Sequence, residues 1–76
     1  MAVILLTNVL HYTGPGALMA LLGDGHRVLC HDQSFVSDGA RAAFASEHKS
    51  ACALAGQTPE AIYNEVVERW NIPDAR

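Results

Sequence analysis

Positive charge is scarce in this chain and nowhere concentrated: five Lys and Arg residues are scattered through 76 positions without a basic run, and the formal net charge is −3. Attraction to nucleic-acid phosphates or to an anionic membrane surface therefore has no source. Long apolar runs are missing as well. The opening run over residues 2–6 is broken by Thr7, Asn8 and His11, and no positively charged leader precedes it, so neither a transmembrane helix nor a signal peptide is expected. Cysteine is limited to Cys30 and Cys52, with no Cys-x-x-Cys pair, which excludes a disulfide framework and fits free buried thiols in a reducing compartment. The cytoplasm is the expected location. His26, Cys30, His31, Asp32, His48 and Cys52 carry ligating atoms, but on a strand His26 and Cys30 share a face while His31 points to the other, so no metal site is expected.

What is present is an ordinary globular composition, 50% apolar and 17% charged, in a chain short enough to be one domain at most. A chain of this length buries only about 60% of its extended surface. The residues after Met1, Ala-Val-Ile-Leu-Leu, form a continuous apolar run that suits a parallel strand buried on both faces. Ala17, Leu18, Leu21 and Leu22 recur at helical spacing, and Gly23 and Gly25 offer left-handed positions at which that helix can stop. A second strand is expected over residues 26–31, with Val28, Leu29 and Cys30 at its apolar centre. Ser37-Asp38-Gly39 can cap a helix over residues 39–49, whose thin apolar face is Ala40, Ala43 and Phe44. Residues 51–54 read as a short third strand. Thr58-Pro59-Glu60 combines a capping hydroxyl, a first-turn proline and an acid at the positive end of the dipole. The helix it starts carries a core stripe of Ile62, Val66 and Trp70, widened by Tyr63 and Val67, and Pro73 ends it.

The order β-α-β-α-β-α predicts an α/β fold, a Rossmann-like half with a three-stranded parallel sheet in the order 3-2-1. The first strand is then an edge of Val3, Ile4, Leu5 and Leu6, a pairing or aggregation site unless something covers it. Residues 1–76 are accordingly expected to be the N-terminal half of a Rossmann-like domain and incomplete on their own.

The segment from Thr7 to Gly14 is the strand-to-helix loop on which such a fold cradles a pyrophosphate. Glycines there let backbone approach the phosphate closely. Thr7 and Gly14 fit that pattern, but Asn8 and Tyr12 stand where two further glycines are needed, and a phenol ring at that point fills cofactor space. Asn8 can adopt a left-handed backbone and reads as a turn residue. His11 can donate to an anion, but a satisfied loop histidine is the better reading of it. Asp32, just after the second strand, occupies the place of a ribose-binding carboxylate and keeps NAD or NADP binding open as the alternative.

These residues also resemble a known family. Thr7-Asn8-Val9-Leu10-His11-Tyr12 with Gly14 and Gly16, the stretch from Asp24-Gly25-His26 to Val28-Leu29-Cys30-His31-Asp32-Gln33-Ser34-Phe35, and residues 53–59 are similar to the halohydrin dehalogenases, a branch of the short-chain dehydrogenase/reductase superfamily. The resemblance spans essentially the whole chain, and full members are much longer. It implies a parent enzyme that uses no redox cofactor, removes halide from a vicinal halohydrin to close an epoxide, and opens epoxides with small anions in reverse. It also implies a homo-oligomer whose partners are a small-molecule substrate and a halide ion. An aromatic residue at the position of Tyr12 helps wall a halide pocket in that family, with Thr7, Asn8, His11, Thr13 and Gly14 forming the loop around it. The family's catalytic serine, tyrosine and arginine lie beyond this segment. Tyr63 is followed by Asn64, Glu65, Val66 and Val67 without the required basic residue, so no catalytic residue is expected in this chain and the isolated segment is expected to be inactive.

Overall fold

The computed structural model describes residues 2–48 and 51–70. Six elements follow in order: β1 (Val3–Thr7), α1 (Gly14–Gly23), β2 (Arg27–His31), α2 (Asp38–Glu47), β3 (Ala51–Ala53) and α3 (Pro59–Trp70). The strands form one parallel sheet with β2 in the centre, so the order is 3-2-1 as the alternating pattern predicts. Val3 pairs with Arg27 and Thr7 with His31 at the two ends of the β1–β2 ladder, and Leu29 faces Cys52 on the other side.

Alternation along β2 decides where the helices sit. Val28 and Cys30 join Val9, Leu18, Phe35, Phe44 and Ala53 in a buried cluster, which places α1 and α2 over that face. Phe35 and Phe44 meet there at 5.0 Å between ring centroids. Leu29 points to the opposite face and is also buried. Helix α3 lies on that second face, because Leu5, the ladder partner of Leu29, lines a groove with Ile62, Tyr63 and Val66.

The sequence expectations for β1 and α3 need correction. Only Ile4 and Leu6 of β1 are partly covered, whereas Val3 and Leu5 are each 45% exposed, so the strand is not buried on both faces. The Ile62, Val66 and Trp70 stripe is half-buried rather than core, and no residue of α3 is fully buried. The two corrections have one cause: a groove of about 390 Å³, lined by Leu5, Thr7, Pro59, Ile62, Tyr63 and Val66, separates helix from strand. Trp70 instead receives the guanidinium of Arg27, 5.0 Å from its ring centroid.

Smaller differences concern ends. Helix α1 starts at Gly14, with Pro15 in its first turn, and includes Gly23, so of the two glycines expected to stop it only Gly25 is left-handed, at φ 81°. Ser37 caps α2 by accepting the Ala40 amide, and Thr58 accepts the Ala61 amide at the start of α3. Helix α2 spans Asp38–Glu47 and ends short of the expected Lys49, because His48 is already extended at φ −123° and ψ 90°; the expected stop at Pro73 falls outside the described residues.

Among the described residues β1 has a neighbour on one side only, which presents its other row of backbone donors and acceptors for pairing. The 76-residue chain is expected to self-associate in a concentration-dependent way in sedimentation velocity. Val3→Lys, at an exposed edge position, is expected to shift the distribution toward monomer; an unchanged distribution would show that β1 is not the contact.

Candidate functional site

The loop from Asn8 to Thr13 is built from two consecutive turns. His11 N–H donates to the Asn8 carbonyl at 3.0 Å, and Gly14 N–H donates to the His11 carbonyl at 2.9 Å. Both turns use left-handed backbone, at Asn8 (φ 53°) and at Tyr12 (φ 52°). Asparagine tolerates this conformation because its short polar side chain can bond locally; a tyrosine does so only under strain, at roughly 1–2 kcal/mol.

Three attachments impose these angles. Val9 is 1% exposed and inserts into the buried cluster beside Leu18, while its amide donates to the His31 carbonyl at 3.2 Å. Leu10 N–H donates to Oδ2 of Asp32 at 3.1 Å. Gly14 is buried with its backbone against the loop: a Cβ there would lie 2.5 Å from the Val9 carbonyl oxygen and 2.6 Å from that of Asn8. The retained glycine of the fingerprint therefore has a reason internal to the chain, independent of any phosphate.

Tyr12 sits at the tip with a relative exposure of 102%, so its ring packs on none of the described residues. Strain at Tyr12 is thus not offset by burial of its own side chain, and an unexplained outlier of this kind points to function. Thr13 occupies the N-cap position of α1 without a side-chain capping bond, at φ −83° and ψ −2°. Thr7 ends β1 and borders the apolar groove. His11 has a 60% exposed side chain, and its Nε2 stands 3.6 Å from Oδ2 of Asp32.

Asp32 is 1% exposed and fully engaged. Its Oδ1 accepts the Ser34 amide at 3.0 Å and the Ser34 hydroxyl at 2.9 Å, while Oδ2 takes the Leu10 amide and faces His11. Burial is the largest single influence on this carboxyl and acts to raise its pKa; the Ser34 and Leu10 amides, the Ser34 hydroxyl and His11 together outweigh it and hold it below the usual carboxylate range. The side chain is turned into the protein.

The loop anchors Val9, Leu10 and Ser34 were not singled out by sequence reasoning. Val9 carried a signal, as a β-branched apolar residue inside an otherwise turn-forming loop; the Leu10 amide carried none. His31 is buried with Nε2 against the Gly56 carbonyl, tying β2 to the segment after β3. Burial, with Cys52 nearby, pushes the Cys30 thiol up to about 12, so it stays protonated and unreactive. Among the described residues no three His, Cys, Asp or Glu side chains converge on a metal-sized site, and no helix is long and apolar enough to cross a membrane.

The fold defined by these elements is an α/β unit with a Rossmann-like parallel sheet. Among solved structures, one described as "Dehalogenation enzyme" is similar to this chain, with a TM-score of 0.84 and 36% sequence identity over 96% of its residues. The chain spans 30% of the length of that protein. No family model matches the chain, and the comparison with curated proteins gives no match.

Two stability experiments follow from the loop. Gly14→Ala is expected to destabilise by about 1–3 kcal/mol, because the neighbours it meets are backbone oxygens that cannot yield cheaply. Gly16→Ala has open space and is expected to be neutral or to stabilise α1 by up to about 1 kcal/mol. Urea titrations giving equal effects at the two positions would refute the close approach at Gly14. The second experiment concerns acid. Because folding lowers the Asp32 pKa, its contribution is complete above the carboxylate's unfolded value and disappears as pH falls through the depressed folded value. Thermal denaturation against pH is expected to show this loss in the wild type and a flatter acid limb in Asp32→Asn.

Proposed function

We propose that this chain is the N-terminal part of a cofactor-independent halohydrin dehalogenase, and that Tyr12 forms one wall of its halide pocket. The observation carrying this reading is the combination, in one loop, of a strained and fully exposed aromatic at a glycine position with similarity to a dehalogenation enzyme along 96% of the chain. The inward turn of Asp32 supports the cofactor-free form of the reading, because the carboxylate that would hold a ribose hydroxyl already serves Leu10 and Ser34.

The reaction in this proposal is an internal displacement. The substrate hydroxyl loses a proton, its oxygen attacks the neighbouring carbon, the carbon–halogen bond breaks, and an epoxide and a halide ion leave without any redox change. Proton removal belongs to residues outside this chain. The role left to the loop is to receive the departing halide, for which a compact, partly dry pocket with an aromatic wall is suited: the edge of a phenol ring is positively polarised and weakly attracts an anion. The proposal includes a homo-oligomeric, cytoplasmic parent acting on a small organic halide. The segment alone is proposed to be inactive.

The test uses the full-length natural protein, titrated separately with bromide and NADH while tryptophan fluorescence is followed. Saturable bromide binding with no NADH response is expected. Saturable NADH binding at micromolar concentration would instead establish the oxidoreductase alternative motivated by the position of Asp32. Tyr12→Gly relieves the left-handed tyrosine, so it is expected to leave stability unchanged or raise it by up to about 1 kcal/mol. The same variant is expected to weaken bromide binding about tenfold or more, a loss near 1.4 kcal/mol. Unaltered bromide affinity in Tyr12→Gly would remove Tyr12 from the pocket.

A further inference from the structure

In a dinucleotide fold the carboxylate after the second strand points outward to a ribose. Here its two oxygens face two different parts of the chain. Oδ1 closes the turn after β2 through the Ser34 amide and hydroxyl, at 3.0 and 2.9 Å. Oδ2 crosses 22 residues of sequence to the Leu10 amide at 3.1 Å and stands 3.6 Å from Nε2 of His11. The Asp32 side chain is 0% exposed, so these contacts are not shared with solvent.

Leu10 and His11 immediately precede Tyr12, whose backbone is held left-handed at φ 52° while its ring is wholly exposed. Nothing on the ring itself holds that conformation. The restraints come from the backbone on either side: Gly14 against the Val9 and Asn8 carbonyls behind the tip, and the Leu10 link ahead of it.

We propose that Asp32 is a positioning residue for Tyr12: through Oδ2 it fixes the Leu10–His11 backbone and so sets where the loop tip stands. Asp32 touches neither substrate nor halide in this role. The bromide readout below rests on the proposed function, whereas the exchange readout does not.

Asp32→Asn separates the two oxygens. Asparagine has one acceptor oxygen, and the orientation that keeps both Ser34 donors satisfied turns its amide nitrogen toward the Leu10 N–H, so the loop link is the one lost. Ser34→Ala is the complementary variant, removing a donor from Oδ1 and leaving the loop link in place. In hydrogen-exchange mass spectrometry of the full-length protein, Asp32→Asn is expected to speed exchange of peptides covering residues 8–13 by about tenfold or more, the worth of one hydrogen bond to a charged group. Ser34→Ala is expected to alter residues 32–36 and leave residues 8–13 at the wild-type rate. Bromide affinity should fall about tenfold in Asp32→Asn and stay within about twofold in Ser34→Ala. If Asp32→Asn fails to fold, His11→Gln at its exposed position carries the test, removing the second partner of Oδ2 with an expected exchange increase confined to residues 8–13. Wild-type exchange over residues 8–13 in whichever Oδ2 variant folds overturns the proposal, as does an equal response in Ser34→Ala. A wild-type protein that binds no bromide overturns the functional reading, while loop exchange still decides the role of Asp32.

Discussion

A carboxylate withdrawn from water costs several kcal/mol unless donors meet it, and Asp32 meets its donors only if two separate stretches of chain come to it. Ser34 arrives through a local turn. The Leu10 amide arrives only when the loop after β1 folds back across the end of β2. That requirement propagates: with Leu10 held, Val9 enters the core beside Leu18 and bonds the His31 carbonyl, and Gly14 packs on the Val9 carbonyl, where α1 begins. The start of the helix, the end of the central strand and the loop between them thus meet around one buried carboxylate.

The same arrangement explains how an unfavourable backbone persists at the loop tip. Left-handed residues survive where the surroundings over-determine them, and here the constraints lie at Val9, Leu10 and Gly14 rather than at the strained residues. Asn8 accommodates its angle through its own chemistry. Tyr12 does not, and since its ring buries nothing against the described residues, stability gives no reason for a tyrosine over a glycine. What distinguishes the two is the aromatic surface presented outward.

Much of the fold was legible in the sequence because its signals are local. Thr58 and Ser37 cap the helices their chemistry suggests, and the alternation of strands and helices leads to the observed parallel order. Errors arose where the answer depends on partners distant in sequence. The run Val3-Ile4-Leu5-Leu6 reads as two-sided because all four residues are apolar, yet coverage is decided by how closely α3 approaches, and a groove intervenes. The Ile62, Val66 and Trp70 stripe was overestimated for the same reason. At the site, the unusual residue types at Asn8 and Tyr12 were visible one letter at a time. The inward turn of Asp32 was not, since an aspartate after a strand has the same letter whether it faces a ribose or a loop amide.

Tyr12 and Asp32 were separate and conflicting signals in the sequence, one against a dinucleotide and the other for it. In the folded chain they belong to one arrangement. The tip carries a bulky residue in left-handed backbone, a conformation its Cβ disfavours, so it persists only where the residues around it are fastened. The fastening uses the carboxylate at the end of β2, drawing it inward until its side chain is 0% exposed. In this geometry the aspartate that argued for a cofactor and the tyrosine that argued against one are joined through the Leu10 amide, two residues before the tip.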